Sequence, residues 1–323
     1  MESPGVSVVL PICNYEKSLV TISAIYDELH FLEHGNLKSE IIAVYDNPKI
    51  PLSDQYKNMF CRAMHVNLIE NPTNLGLAES YNIGAKAAKY EDVIFIHEDC
   101  VPRPGLIKDI AEKMKLSPIV NGMILLPDDI VVKYDFWNKM MLYRHAGRFC
   151  QALGKATGIR KEVFRKIGYF DSQTFRTSSE DMDFMTRAEA AGIKIDHVDN
   201  YAEHRHEAKS ATFITMLKKE WQLGEGHGAY KRKHNLKRVG QFDFEWRLGI
   251  LVLTALGVCS IGWWFLIALF PFVLIPIFQA ITNYAKSGWW LPGLLLYPFI
   301  GPIVLLVQTI AAAKCFFTGR QTF

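Results

Sequence analysis

The sequence predicts an α/β protein: a mostly parallel central sheet with helices on both faces, followed by transmembrane helices at the C-terminal end. Three observations carry this expectation. Strand-like and helix-like hydrophobic periods alternate through the N-terminal part of the chain. Polar residues follow directly on each apolar strand run. Residues 248–285 and 287–313 contain no Asp, Glu, Lys or Arg.

Taken in order, residues 6–10 form an apolar run of strand length, and Leu19, Ile22, Ile25 and Leu29 then recur at helical spacing. Residues 40–44 and 65–69 return to strand, the alanine-rich residues 77–89 read as helix, and residues 93–96 are a fourth, wholly apolar strand. Strands apolar on both faces and alternating with helices belong to parallel sheets covered on each side. Ligands of such sheets bind beyond the carboxyl ends of the strands. That rule singles out Asn14 and Tyr15, Asp46 and Asn47, residues 70–74, and residues 97–99. A dinucleotide-binding turn would place Gly-x-Gly-x-x-Gly after the first strand, and residues 11–16 contain no glycine. Further on, shorter strands and loops are expected over residues 121–200, with a helix over residues 180–191 that Gly192 ends.

The 323 residues allow one substantial domain and a membrane part. The expected division is a catalytic-type domain over residues 1–222, a basic juxtamembrane segment over 223–247, and a transmembrane region over 248–323. Residues 224–240 are glycine-rich and basic, as a linker would be. Each apolar block can supply the roughly 20 residues that a crossing helix needs. Two crossings are expected, with three as the alternative, and the first block must tilt, begin at the interface or fold back near residues 257–262. Lys231, Arg232, Lys233, Lys237, Arg238 and Arg247 precede the first block, and Lys314 and Arg320 follow the second. The positive-inside rule then puts both flanks, and the domain before them, in the cytoplasm of a cell-membrane protein. No cleaved signal is apparent at the start of the chain. The net charge of +3 is too small to suggest nucleic acid as a partner. Six cysteines without Cys-x-x-Cys spacing fit a reducing compartment.

Asp99 closes the fourth strand, where a carboxylate could hold Mg²⁺ or Mn²⁺ against a diphosphate, or simply cap the next loop. Glu98 alternates to the other side of the strand and reads as structural. Glu180, Asp181 and Asp183 open a helix. Acidic residues suit any helix start, and Asp183 stands four residues before Arg187 as a common pair. A carboxylate at such a terminus can equally serve as a general base toward a hydroxyl nucleophile. His204 and His206 share one face of an extended segment, and either could complete a metal site or be ordinary solvated imidazoles.

These residues resemble the family 2 glycosyltransferases, which have the GT-A fold. Residues 6–14, with Pro11 and Asn14, are similar to that family's opening strand, and Asp46-Asn47 to its acidic nucleoside-side position. The run Asn71-Pro72-Thr73-Asn74-Leu75-Gly76-Leu77-Ala78, with Asn82 and Gly84, is the most specific match. Gly168-Tyr169-Phe170-Asp171 and Ser179-Glu180-Asp181-Met182-Asp183 resemble the acceptor-side motifs, in the family's order. The resemblance implies a donor pocket involving Pro11, Cys13, Tyr15, Asp46, Asn74 and Gly76. It also implies a divalent metal, Mg²⁺ or Mn²⁺, at Asp99, and Asp181 as the base beside Glu180. The family's Asp-x-Asp stands here as His97-Glu98-Asp99, so His97 or the later His204 would have to complete the metal site. Gln-x-x-Arg-Trp, which marks processive members, is absent. Residues 221–228 and the apolar blocks after them are similar to membrane-bound exopolysaccharide and lipid-linked oligosaccharide transferases.

The expectation is therefore an inverting glycosyltransferase of glycan biosynthesis. It would take one sugar from a nucleoside-diphosphate sugar donor to a lipid-linked or glycan acceptor, beside membrane lipid. The rival from another class is a noncatalytic membrane scaffold with a degenerate nucleotide-sugar-binding domain, which the missing first carboxylate would favour.

Overall fold

The computed structural model of the chain describes residues 5–34, 37–144, 149–151, 154–176, 178–205, 210–234, 244–261, 269–286 and 290–322. They group into two compact units. One comprises Met1–Ile130, Phe149–Arg176 and Glu180–Glu207, and the other Val131–Arg148, Thr177–Ser179 and Ala208–Phe323.

The first unit is built on one sheet. Its strands are β1 (Gly5–Ile12), β2 (Lys38–Tyr45), β3 (Asn67–Glu70), β4 (Asp92–Ile96), β5 (Cys100–Pro102), β6 (Ile119–Leu125), β7 (Phe149–Gln151), β8 (Ala156–Arg160) and β9 (Ile195–His204). Their spatial order is β3-β2-β1-β4-β8-β6-β9-β5, with β7 paired to β6. The run β3-β2-β1-β4 is parallel. Beyond it β8 lies antiparallel to β4 and to β6, β7 antiparallel to β6, and β5 antiparallel to β9, while β6 and β9 are parallel. The mostly parallel sheet expected from sequence is thus a mixed one, parallel only where strands alternate with crossover helices. The reversal matters for the site, because Ala156 at the start of β8 pairs with Ile96 at the end of β4. Residues just before β8 therefore arrive at the carboxyl ends of the parallel strands.

Both faces of β1 are covered. Val8 and Leu10 join Ile22, Ile25 and Leu29 of α1 (Tyr15–His34) and Ile107, Ile110 and Met114 of α4 (Leu106–Met114). Val9 on the opposite face joins Ala78, Tyr81 and Ala85 of α3 (Leu77–Ala87), together with Phe164, Phe170 and Phe184. Burying each such large apolar side chain is worth about 1.5–3 kcal/mol, so two filled layers hold the strand ends in place. Two short elements, α2 (Asp54–Asn58) and a single π-turn (Met59–Ala63), lie between β2 and β3. Helix α8 (Glu180–Ala190) ends where Gly192 takes φ 68°, as the sequence indicated.

The second unit is helical. It holds α6 (Phe136–Arg144), α9 (Phe213–His234), α10 (Phe244–Ile261), α11 (Phe270–Lys286) and α12 (Leu291–Thr318). Among the described residues, α12 is the one helix long and apolar enough to cross a membrane. The stretch read as a linker over residues 224–240 begins as helix, since α9 runs to His234, while residues 235–240 lie outside the described residues. Its glycines serve close packing: a Cβ on Gly224 would lie 2.7 Å from the Gln308 carbonyl oxygen, and one on Gly228 2.2 Å from that of Ala312. Small residues at four-residue spacing let two helix backbones approach in this way.

Candidate active site

The site is assembled at the carboxyl ends of β1, β2 and β4. The turn after β1 is held from below by Glu98, whose carboxylate accepts hydrogen bonds from the backbone amides of Cys13 (2.7 Å) and Asn14 (2.8 Å). Asn14 in turn caps α1 by accepting from the amides of Glu16 and Lys17. Glu98 is thus a structural carboxylate, as its place on the strand indicated. Pro11 is buried within β1 opposite Val44, whereas Cys13 is exposed at the turn. Crowding around the thiol, with Glu98 and Asp46 nearby, pushes Cys13 up to about 11. It stays protonated at neutral pH and is no nucleophile. The Tyr15 ring lies 4.1 Å from that of Tyr56 and 6.5 Å from that of Tyr45, giving an aromatic wall beside the turn.

Asp46, at the end of β2, is buried and fully engaged. Its Oδ1 accepts from Asn71 Nδ2 and the Leu75 amide, and its Oδ2 from the Gly76 amide, each at 2.8 Å. Asn74 Nδ2 donates to the Asp46 carbonyl oxygen at 2.8 Å. Asp46 therefore shapes the Asn71–Gly76 loop with its carboxylate, and Asn74 and Gly76 are members of the same lattice. Gly76 sits at φ 86° directly before α3, where a Cβ would also stand 3.0 Å from the Arg176 carbonyl oxygen. Only glycine adopts that conformation without strain.

Asp99 follows β4, and the pairing of β5 with β9 brings His204 opposite Cys100. His204 Nε2 lies 3.2 Å from Asp99 Oδ2, and Cys100 Sγ donates to Asp99 Oδ1 at 3.6 Å. Ligand atoms of Asp99, Cys100 and His204 all fall within 4.8 Å of one another. A carboxylate oxygen in the turn after β4 and an imidazole nitrogen at the end of β9 are donors that a divalent ion such as Mn²⁺ accepts. His97 is not in that group. Burial drives its imidazole down to about 4, against the opposing pull of Asp99, so it is neutral at physiological pH. Its backbone amide is tied to the Lys155 carbonyl oxygen, and its ring packs 6.0 Å from that of Tyr81. The other histidine singled out in the sequence, His206, lies outside the described residues.

Asp181 stands in the first turn of α8, after Ser179 at φ 73°, a conformation that costs energy for a residue with a side chain. Its side chain rests against Gly154, whose ideal Cβ position lies 3.4 Å from the Asp181 Cβ. Tyr81 Oη donates to the Gly154 carbonyl oxygen at 2.5 Å. Desolvation and the nearby acidic groups Glu180, Asp181 and Asp99 raise the Tyr81 phenol well above its usual range. Tyr81 thus meets Gly154, against which Asp181 rests, and its ring lies 6.0 Å from that of His97. Burial raises the Asp181 carboxyl, while the amide of Met182, which donates at 2.8 Å, and the charge of Lys155 pull it down. Its neighbours differ. Glu180 is buried, and Asp183 is wholly buried and paired with Arg187 at 2.9 Å. Arg187 also donates to the carbonyl oxygens of Ile167 and Tyr169, so Asp183 ties α8 to the loop after α7 (Lys161–Ile167).

Sequence reasoning passed over Tyr81, Gly154, Lys155 and Cys100. Tyr81 is an inward residue of α3, and the other three reach the site only through strand pairings far apart in the chain. Two hollows on this unit lie elsewhere, along α1 and α4 around Phe31 and Lys108.

A family model described as glycosyl transferase family 2 matches residues 7–168, and one described as glycosyl transferase family group 2 matches residues 93–307. No curated protein sequence matches the chain. Among solved structures, the chain is similar to the mannosyltransferase PcManGT from Pyrobaculum calidifontis in complex with GDP-Man and Mn²⁺. The identity is 14%, with 99% of this chain and 89% of that one covered and a TM-score of 0.55. S. aureus TarS 1-349 matches at 16% identity, covering 99% of this chain and 93% of that one, with a TM-score of 0.45.

Proposed function

The chain belongs to glycosyl transferase family 2 and is a transferase, and from that premise we propose that it moves one sugar, with inversion, from a nucleoside-diphosphate sugar to a lipid-linked acceptor at the cytoplasmic membrane face. Two observations support this reading: His204 stands 3.2 Å from Asp99 as a candidate metal pair, and Asp181, desolvated at a helix start, rests against Gly154 beside the buried Tyr81.

In this reading the base of the donor rests between the aromatic wall at Tyr15 and the loop that Asp46 organises. Asn74 and Gly76 set the backbone of that loop, and Pro11 and Cys13 form the turn beneath it. Asp99 and His204 would hold the divalent ion, Mg²⁺ or Mn²⁺. When bound, the ion offsets negative charge on the departing diphosphate. Asp181 accepts the proton of the acceptor hydroxyl as its oxygen attacks the anomeric carbon. The bond from that carbon to the diphosphate oxygen breaks, and the nucleoside diphosphate leaves with the electron pair. The Met182 amide and, more weakly, the charge of Lys155 favour the ionised form of Asp181 against its burial. Neutral His97 packs the floor and supplies no ligand. The apolar helices of the second unit attach the enzyme to the membrane, where a lipid-linked acceptor is concentrated.

The test is release of nucleoside diphosphate from a panel of nucleotide sugars, GDP-mannose among them, with and without Mn²⁺. Release that depends on the metal and is lost in a folded Asp99→Ala protein is the expected result. Metal-independent release that survives in Asp99→Ala would remove the metal from the mechanism.

A further inference from the structure

Resting on that membrane attachment, we propose that α11 and α12 do not cross the bilayer but lie in the plane of one leaflet, as an apolar platform with both ends of α12 on the same aqueous side. This departs from the two crossings expected from composition. On α12 the exposed large apolar residues Leu291, Leu295, Phe299, Ile303, Leu306, Ile310 and Phe317 fall at three-, four- and seven-residue steps, with Leu296 beside them. They form one stripe along the helix. Phe270, Leu274, Phe278 and Ile281 form a matching stripe on α11.

A stripe of this kind would suit a crossing helix as well, so the deciding observation is what covers the opposite face. At the start of α12, the Tyr143 ring of α6 lies 5.8 Å from that of Trp290 and 6.0 Å from that of Tyr297. Tyr143 Oη also donates to the Ala280 carbonyl oxygen, within α11. At the other end, Arg232 of α9 donates to the carbonyl oxygens of Phe316 and Phe317. Between these ends, Gln308 donates to buried Glu220 (2.9 Å) and Lys314 pairs with buried Glu225 (2.7 Å), both on α9. The Trp137 and Phe213 rings, 5.2 Å apart, join α6 to α9. Helices that carry charge therefore back α12 as one layer, α6 at its start and α9 over its last turns. That layer includes Lys139 on α6, and on α9 it exposes Lys218, Lys219, Arg232 and Lys233.

A helix of 28 residues is about 42 Å long. Stood upright in a bilayer, it would take one end of this charged layer through the hydrocarbon, where ionised groups are costly. Laid flat, it puts its stripe about 5–10 Å into the headgroup and acyl boundary, as in-plane helices do. The occupant is lipid: a protein–protein interface carries a polar rim around its apolar core, and residues 248–285 and 287–313 contain no Asp, Glu, Lys or Arg to form one.

Full-length protein carrying Lys286→Cys, at the end of α11, tests the geometry. A membrane-impermeant maleimide is applied to right-side-out spheroplasts and to inside-out vesicles, and labelled peptides are identified by mass. Native Cys61, exposed in the first unit, reports the face on which that unit lies. Labelling of Lys286→Cys and Cys61 from the same face is expected. Labelling from opposite faces overturns the platform while leaving membrane attachment intact. Protein that does not sediment with membranes defeats the attachment itself and the platform with it, as does a discrete dimer in lipid-free buffer that ignores vesicles.

Discussion

Both units of this protein bury carboxylates, and they treat them differently. In the second unit Glu225 is wholly buried, with Lys314 at 2.7 Å and the Thr322 amide at 2.9 Å from its oxygens. In the first unit Asp46 and Asp183 are comparably engaged, Asp46 by backbone and amide donors and Asp183 by Arg187. Asp181 stands apart. Among the described residues its carboxylate accepts only at the start of its own helix, and burial lifts its proton affinity. A carboxylate saturated with donors is stabilised as an anion and has little basicity to offer, whereas a desolvated one with few donors is a better proton acceptor. Number of partners, more than burial, separates the structural acids here from the candidate base.

The units differ also in what covers their apolar side chains. In the first, the strand residues are buried on both faces of the sheet. In the second, Val252, Leu256, Phe278, Leu295 and Phe299 stay exposed to whatever surrounds the helices. The same residue types thus serve as a core in one region and as an exposed apolar surface in the other.

Mutations can break these contrasts. The largest effect is expected on stability from Glu225→Ala, which strands Lys314 and releases the C-terminal residues. The loss should be up to about 3 kcal/mol, discounted because Lys314 is 36% exposed. A thermal melt in detergent measures it, and a change below 0.5 kcal/mol, roughly, would remove the distinction between engaged and catalytic acids. Next, His204→Ala should weaken Mn²⁺ activation roughly 10–100-fold while sparing the melt. Titration of activity against Mn²⁺ is the readout, and an unchanged curve would return His204 to the status of a surface imidazole. The smallest effect is on pH dependence. The raised carboxyl of Asp181 must lose its proton to act, so turnover should fall as pH drops through that raised value. Lys155 pulls the value down, and Lys155→Met should therefore move the acid limb of the rate profile to higher pH. An acid limb that stays in place would detach Lys155 from Asp181.

Much of this was readable in the residues, and the parts that were not share a cause. Strands β1 to β4 and helices α3 and α8 declare themselves through local hydrophobic period, and the turn residues Asn14, Asp46 and Asp99 follow from them. What escaped depends on distant pairing. The antiparallel entry of β8 delivers Gly154 and Lys155 to the site, and the pairing of β5 with β9 selects His204 as the partner of Asp99. No spacing in the chain encodes either event. The glycines of α9 misled for a different reason. Glycine reads as linker by composition, and here Gly224 and Gly228 bring two helix backbones together.

The assignment of Asp181 is tested most directly by comparing it with its neighbour two residues on. Turnover and melting temperature are measured for Asp181→Asn and Asp183→Asn under one set of conditions. Asp181→Asn should keep its melt and lose about 10²–10⁴ in turnover, whereas Asp183→Asn should lose stability and, where folded, keep turning over. Near-normal turnover in Asp181→Asn, with turnover abolished in a folded Asp183→Asn, would contradict the account.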